Sequence, residues 1–191
     1  STPFVGIICF FAAGCAVSSI QNNTIGGIAL YTSSGASTTF GLICGIAVTS
    51  GNANIGTVTG NTIGAVSGGS SIYAASTTAG GVISGIYCTT TNTINIQNNN
   101  IGGIDVSGTT ATQAQGFKGI DAAGTGTYTI TNNSVGNASA NNIRTGYLLT
   151  AGSLSNAATT PTTATGTSAF TGILNSSTGS NINITNNTLQ G

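Results

Sequence analysis

Four side chains in the 191-residue sequence carry charge: Asp105, Lys118, Asp121 and Arg144. Two carboxylates near two cations are raw material for glycoside cleavage, where one carboxyl donates a proton and the other acts as base or nucleophile. They are also raw material for a calcium site with a basic residue beside it. Asp121 and Lys118 flank Gly119–Ile120, and Asp105 opens the variable segment before them, so the four can be drawn as one cluster. The competing reading is a small surface ion-pair patch, which contributes little to stability, and the thin inventory favours it. The sequence has no His, so neither a Ser–His–Asp nor a Cys–His mechanism can be assembled, and metal sites of the Cys/His type fail for the same reason. The expectation is a protein without catalytic residues, cofactor or metal.

The remaining reactive groups are Cys9, Cys15, Cys44 and Cys88. A Cys9–Cys15 bridge across "CFFAAGC" is one reading of the first pair; buried, unpaired thiols acting as small hydrophobes is the other. Cys9 and Cys88 occupy equivalent repeat positions two copies apart, about 10 Å if the copies stack, which is too far to bond.

The elements that position these groups follow from composition and periodicity. Hydrophobic residues make up 39% of the sequence and charged residues 2%, against roughly 25% charged in an average soluble domain. The net charge is zero, so no electrostatic field attracts nucleic acid or anionic lipid. The most apolar stretch, "FVGIICFFAAGCAV" at 4–17, is shorter than the roughly 17–25 residues of a spanning helix and lacks flanking Lys or Arg. It also lacks the basic region that precedes a signal-peptide core.

An internal repeat organises the chain. "SIQNNTIGGI", "TVTGNTIGAV", "NIQNNNIGGI", "TITNNSVGNA" and "NITNNTLQG" align on Asn23, Asn61, Asn99, Asn133 and Asn187, spaced by 38, 38, 34 and 54 residues. A second landmark, an apolar residue, any residue, then Gly-Ile, precedes each: "FVGI", "ICGI", "ISGI", "FKGI" and "FTGI". The copies span about 4–42, 43–82, 83–116, 117–169 and 170–191, within a single domain covering 1–191. Apolar residues alternate with polar ones at period 2, and Thr, Asn, Gly and Val outnumber helix formers. Each copy therefore reads as short strands joined by turns. Such a unit closes a core only by stacking on its neighbours. The expected architecture is an all-β parallel solenoid of five rungs, about 24 Å tall at about 4.8 Å per rung.

Stacking puts equivalent residues directly above one another. The five aligned asparagines are expected to form an inward ladder, each amide bonding the next, with the same residues accepting the left-handed conformation of a corner. Three apolar columns should fill the core: Ile20–Val58–Ile96–Ile130–Ile184, Ile25–Ile63–Ile101–Val135–Leu189 and Ile7–Ile46–Ile86–Ile120–Ile173. Gly6, Gly45, Gly85, Gly119 and Gly172 read as a corner or bulge that excludes a Cβ.

The Φ-x-G-I landmark followed by Φ-x-N-N-x-Φ resembles the repeat of pectate-lyase-like, right-handed parallel β-helices. In its Thr/Asn/Ser/Gly-rich form it is similar to secreted β-helical surface and adhesin-like proteins of bacteria such as Bacteroidetes. The resemblance spans all five copies and implies a right-handed coil and an extracellular or cell-surface location. It does not fix function, because this fold carries lyases, adhesins, tailspikes and filaments. The unit averages about 41 residues, longer than is usual for that class, which places extra loops at 29–42, 67–82, 105–116 and 139–169. The last contains Thr159, Thr160, Thr162 and Thr163 around Pro161. They read equally as an O-glycosylated segment or a plain surface loop.

Three functions compete. The first is a non-catalytic structural subunit that stacks on itself end to end as a filament or adhesive fibre, with surface glycans as a further partner. It is favoured because the first landmark opens at Phe4 and the last motif runs to Gly191, so one copy would phase into the next. The second is ice binding by outward pairs such as Thr57/Thr59 and Thr129/Thr131. The third is a carbohydrate-binding or carbohydrate-cleaving β-helix, for which carboxylates are scarce.

Overall fold

A computed structural model describes residues 4–12, 14–35, 40–67, 71–110, 113–139, 142–150, 153–154, 170–179 and 181–190. Its strands arise where apolar and polar residues alternate. The only prolines are Pro3 and Pro161, so from Phe4 onward every strand can donate its full set of backbone N–H groups.

Nineteen strands pair in parallel to make four sheets, and the chain visits the sheets in strict rotation. The first face stacks Phe4–Phe10, Ile43–Ser50, Val82–Thr90, Gly116–Gly124 and Phe170–Asn175. The second stacks Ser18–Ile20, Ala53–Ile55, Thr93–Gln97, Thr127–Thr131 and Ile182–Thr185. The third stacks Thr24–Ile25, Thr62–Gly64, Asn100–Gly102, Ser134–Val135 and Thr188–Leu189. The fourth stacks Ile28–Thr32, Ile72–Ser76, Ile104–Gly108 and Ile143–Thr150, with Ser153–Leu154 pairing antiparallel to the last of these. Each of the first four circuits adds one strand to each face, and the fifth adds one to the first three, which defines a parallel β-solenoid.

The fourth face lies in segments that the repeat alignment reads as loops. They carry their own alternation, Ile28-x-Leu30 and Ile104-x-Val106, and pair in register at Ile28–Ile72–Ile104–Ile143. The extra length of the repeat is thus partly a fourth wall. Small residues such as Ala74 and Ala75 weaken its signal in the sequence.

Two of the three expected columns stand as read: Ile7–Ile46–Ile86–Ile120–Ile173 on the first face and Ile25–Ile63–Ile101–Val135–Leu189 on the third. The second-face column differs at one position. Ile55, not Val58, lies between Ile20 and Ile96, and Val58 is 85% exposed. The cause is an excursion in the second rung. The chain leaves the sheet at Gly56, with φ 76°, and returns at Asn61. Gln21 holds the excursion: its Oε1 accepts from the N–H groups of Val58 and Thr59 at 3.1 and 3.2 Å, and its Nε2 donates to Asn54 O at 3.0 Å.

The glycine column is not a corner. Gly6, Gly45, Gly85, Gly119 and Gly172 lie within first-face strands, and none has positive φ. Their role is close approach. A Cβ on Gly85 would sit 2.5 Å from Gly119 O and 2.8 Å from Ile101 Cγ2, and one on Gly45 would sit 2.6 Å from Gly85 O and 2.8 Å from Ile63 Cγ2. The third-face apolar column therefore packs directly on the first-face backbone, and the bare Cα makes the space. Gly85→Ala is expected to destabilise the fold by about 1–3 kcal/mol through overpacking, read as a lowered urea midpoint. An unchanged midpoint would refute this packing role.

Candidate functional site

The four charged residues divide into two pairs. On the fourth face Asp105 and Arg144 are register neighbours on successive rungs, and the guanidinium grips the carboxylate with two bonds, Nε to Oδ1 at 2.8 Å and Nη2 to Oδ2 at 2.7 Å. This fork geometry suits a bidentate charge-assisted pair, and the bond from Asp105 raises the Arg144 pKa above its ordinary value. On the first face Lys118 Nζ donates to Asp121 Oδ2 at 2.7 Å within one strand. Both carboxylates are buried. Each is held by a cation on its own face, so the four do not converge on one cleft as the sequence cluster allows.

The asparagine corner lies between the second and third faces. Asn23 Nδ2 donates to Asn61 Oδ1 at 2.9 Å, Asn61 Nδ2 to Asn99 Oδ1 at 2.8 Å, Asn99 Nδ2 to Asn133 Oδ1 at 2.9 Å and Asn133 Nδ2 to Asn187 Oδ1 at 3.0 Å. Each Oδ1 also accepts the backbone N–H of the preceding asparagine at 2.9–3.0 Å. The left-handed turn belongs to the residue before. Asn22, Asn98, Asn132 and Asn186 have φ of 54°, 59°, 57° and 55°, whereas the ladder residues have no positive φ. The sequence reading assigned both tasks to the ladder residue; the doubled Asn-Asn separates them. In the second rung the partner of Asn61 is Gly60, and the turn moves to Gly56.

All four thiols are free, so the Cys9–Cys15 bridge is absent. Cys15 is exposed, while Cys44 and Cys88 are buried. Cys9 and Cys88 stand in one column with Val48 between them. Burial pushes the Cys44 thiol up to about 12 and the Cys88 thiol up as well. Tyr128, fully buried in the fourth rung, donates its hydroxyl proton to Ala123 O and accepts from Thr90 N–H at 3.3 Å. Burial moves its pKa up to about 12. Neither the buried thiols of Cys44 and Cys88 nor the Tyr128 hydroxyl is poised as a nucleophile at neutral pH.

The outward second-face column reads Ser19, Asn54, Asn95, Thr129 and Asn183. Thr57 and Thr59 lie in the excursion instead of this column, which corrects their place in the ice-binding reading. At the corner of the first and second faces a groove of about 230 Å³ is lined mainly by hydroxyls, among them Thr49, Ser50, Thr89, Thr90 and Thr125. The Thr49 hydroxyl is buried there without a hydrogen-bond partner. The groove offers hydrogen bonds but no acid or base. Thr159, Thr160, Thr162 and Thr163 lie outside the described residues.

The edge rungs are the other notable surfaces. Inward residues that are buried in the middle rungs become half-exposed at the two edges: Phe4 and Phe170, 40% and 44% exposed, are in column with the fully buried Phe117. The sequence reading located the ladder. It had no signal for the groove, which is formed by strand ends brought together by stacking.

Family models, curated proteins and solved structures yield no match to this chain. The fold and these surfaces define its class, a five-rung parallel β-solenoid with an internal asparagine ladder.

Two outcomes follow from this geometry. Asn132→Gly should keep most of the stability, because glycine accepts φ 57° freely, whereas Asn133→Ala should cost about 2–4 kcal/mol by stranding buried backbone groups. Equal losses in thermal denaturation would contradict the division of labour. Cys44, Cys88 and Tyr128 have folded-state pKa values above their ordinary 9.0, 9.0 and 10.0, so above those values the unfolded chain releases protons that the fold retains. Stability from these groups is full below pH 9 and falls as pH rises through 9 to about 12. Circular dichroism across that range should show the fold weakening; a fold unaffected to pH 12 would exclude the effect.

Proposed function

We propose that this chain is a structural, non-catalytic β-solenoid subunit that stacks on itself end to end, forming an extracellular filament or adhesive surface fibre. The observation that carries the reading is the in-register, nearly charge-free stacking of one rung on the next. Sheet edges are ordinarily blunted by charge, proline or bulging. Among the described residues the first and fifth rungs carry no charged side chain, and all four charges sit in the third and fourth rungs, already paired. The first and fifth rungs present half-exposed Ile, Phe and Leu to whatever lies against them. A heterologous contact between two different edges does not close on itself and propagates as a fibre. The extracellular location rests on the resemblance of the repeat to secreted β-helical surface proteins.

Electron microscopy and sedimentation of the purified chain test this. Rods with an axial repeat of about 24 Å, five rungs of about 4.8 Å, are expected. With no charges at the joint, assembly should be insensitive to sodium chloride. Monomers alone at every concentration would overturn the proposal.

A further inference from the structure

We infer that the groove at the corner of the first and second faces is a binding site for a neutral saccharide. The site lies within one chain, on its second, third and fourth rungs, so it stands whether or not chains stack. Thr49 and Ser50 come from the second rung, Thr89, Thr90 and Asn92 from the third, and Thr125 from the fourth. Stacking repeats polar groups along the axis at about 4.8 Å, close to the length of one sugar ring. The groove holds about 230 Å³. That is below the roughly 300 Å³ at which drug-sized ligand sites begin, and it is room for one ring of a longer chain lying in it.

Hydrogen-bonding capacity is left over in this groove. The Thr49 hydroxyl is buried without a partner. Such a group lowers stability, and valine, of nearly the same shape, would avoid the loss, so the hydroxyl calls for a partner from outside the chain. The hydroxyls of Thr89 and Thr125 also make no hydrogen bond among the described residues. Thr90, by contrast, is buried and fixed: its hydroxyl donates to Gly51 O at 3.2 Å and accepts from Asn92 N–H at 3.2 Å. A rigid base thus carries unspent hydroxyls around it. None of the lining residues is charged, and the four charged side chains are paired with one another elsewhere, so an ionic ligand gains nothing here. Hydroxyls both donate and accept, which matches the hydroxyls of a sugar, and the threonine methyl groups can meet its C–H faces.

Amide NMR of the full chain, titrated in turn with cellotetraose, maltotetraose, mannotetraose and N-acetylchitotetraose, tests this. At least one is expected to bind in the millimolar range and to shift the resonances of residues 49–50, 89–92 and 124–125. Tetragalacturonate, a charged counterpart, is expected to shift none of them. Thr49→Val should weaken binding by about fivefold, the worth of one neutral hydrogen bond, while the urea midpoint stays level or rises because an unmet buried hydroxyl is gone. Thr125→Arg, at an exposed position on the groove, should abolish binding with circular dichroism unchanged. The inference is overturned if none of the four neutral probes binds, the groove then holding water only. Shifts confined to other parts of the solenoid, equal binding of tetragalacturonate, or undiminished binding by Thr49→Val would overturn it as well.

Discussion

An inward-turned amide can be buried in this core only if another amide lies directly above it. That constraint underlies the rest of the structure. A single buried asparagine side chain brings two donors and an acceptor into an apolar interior, where each unmet group costs about 1–3 kcal/mol. Here Asn99 meets the Asn133 Oδ1, the Ile55 carbonyl and the Gln97 carbonyl, and its own oxygen serves Asn61. The satisfaction is cooperative along the axis. It requires the corner to recur at the same height in every circuit, which in turn fixes the register of the second and third faces on either side. The variable lengths between corners are absorbed elsewhere, in the 56–60 excursion and in the connections around the fourth face.

The same axial requirement explains the first-face glycines. Once the corner sets the third face, its apolar column points across the interior at the first face, and Ile63 and Ile101 reach the backbone of Gly45 and Gly85. A side chain there would separate the two walls and pull the corner out of register. The glycines and the ladder asparagines are two halves of one packing solution, which is why both recur in phase in the sequence.

Much of this was legible because a solenoid writes its third dimension into its period. The ladder residues, the first- and third-face columns and the rotation of strands all follow from aligning five segments. The misreadings share a cause. Val58 aligned by counting back from Asn61, but an insertion between strand and corner breaks such counting, and only the Gln21 bonds reveal that Ile55 holds the core position. The fourth face repeats an isoleucine, Ile28–Ile72–Ile104–Ile143, but at changing distances from the ladder asparagine, and its next inward position varies from Leu30 to Ala74 to Val106, so no fixed spacing marked it. Splitting the Asn-Asn pair into a turn residue and a ladder residue needed backbone angles. The separation of the charges onto two faces needed the fourth face to be known first.

Near-absence of charge is a consequence of the same stacking. In a parallel, in-register array an outward side chain has its counterpart about 4.8 Å above and below. A repeated charge would meet its own kind at a cost of about 1 kcal/mol per contact in bulk water, and several times that near a protein surface. Hydroxyls and amides escape the penalty because each can both donate and accept, as Asn95 does toward Asn54 at 2.8 Å. Charge is tolerated where successive rungs differ in sign, which is the arrangement of Asp105 beneath Arg144. The surface chemistry that lets one rung lie on the next is thus the chemistry left exposed at the edge rungs. Whatever lies against them meets a neutral, in-register template.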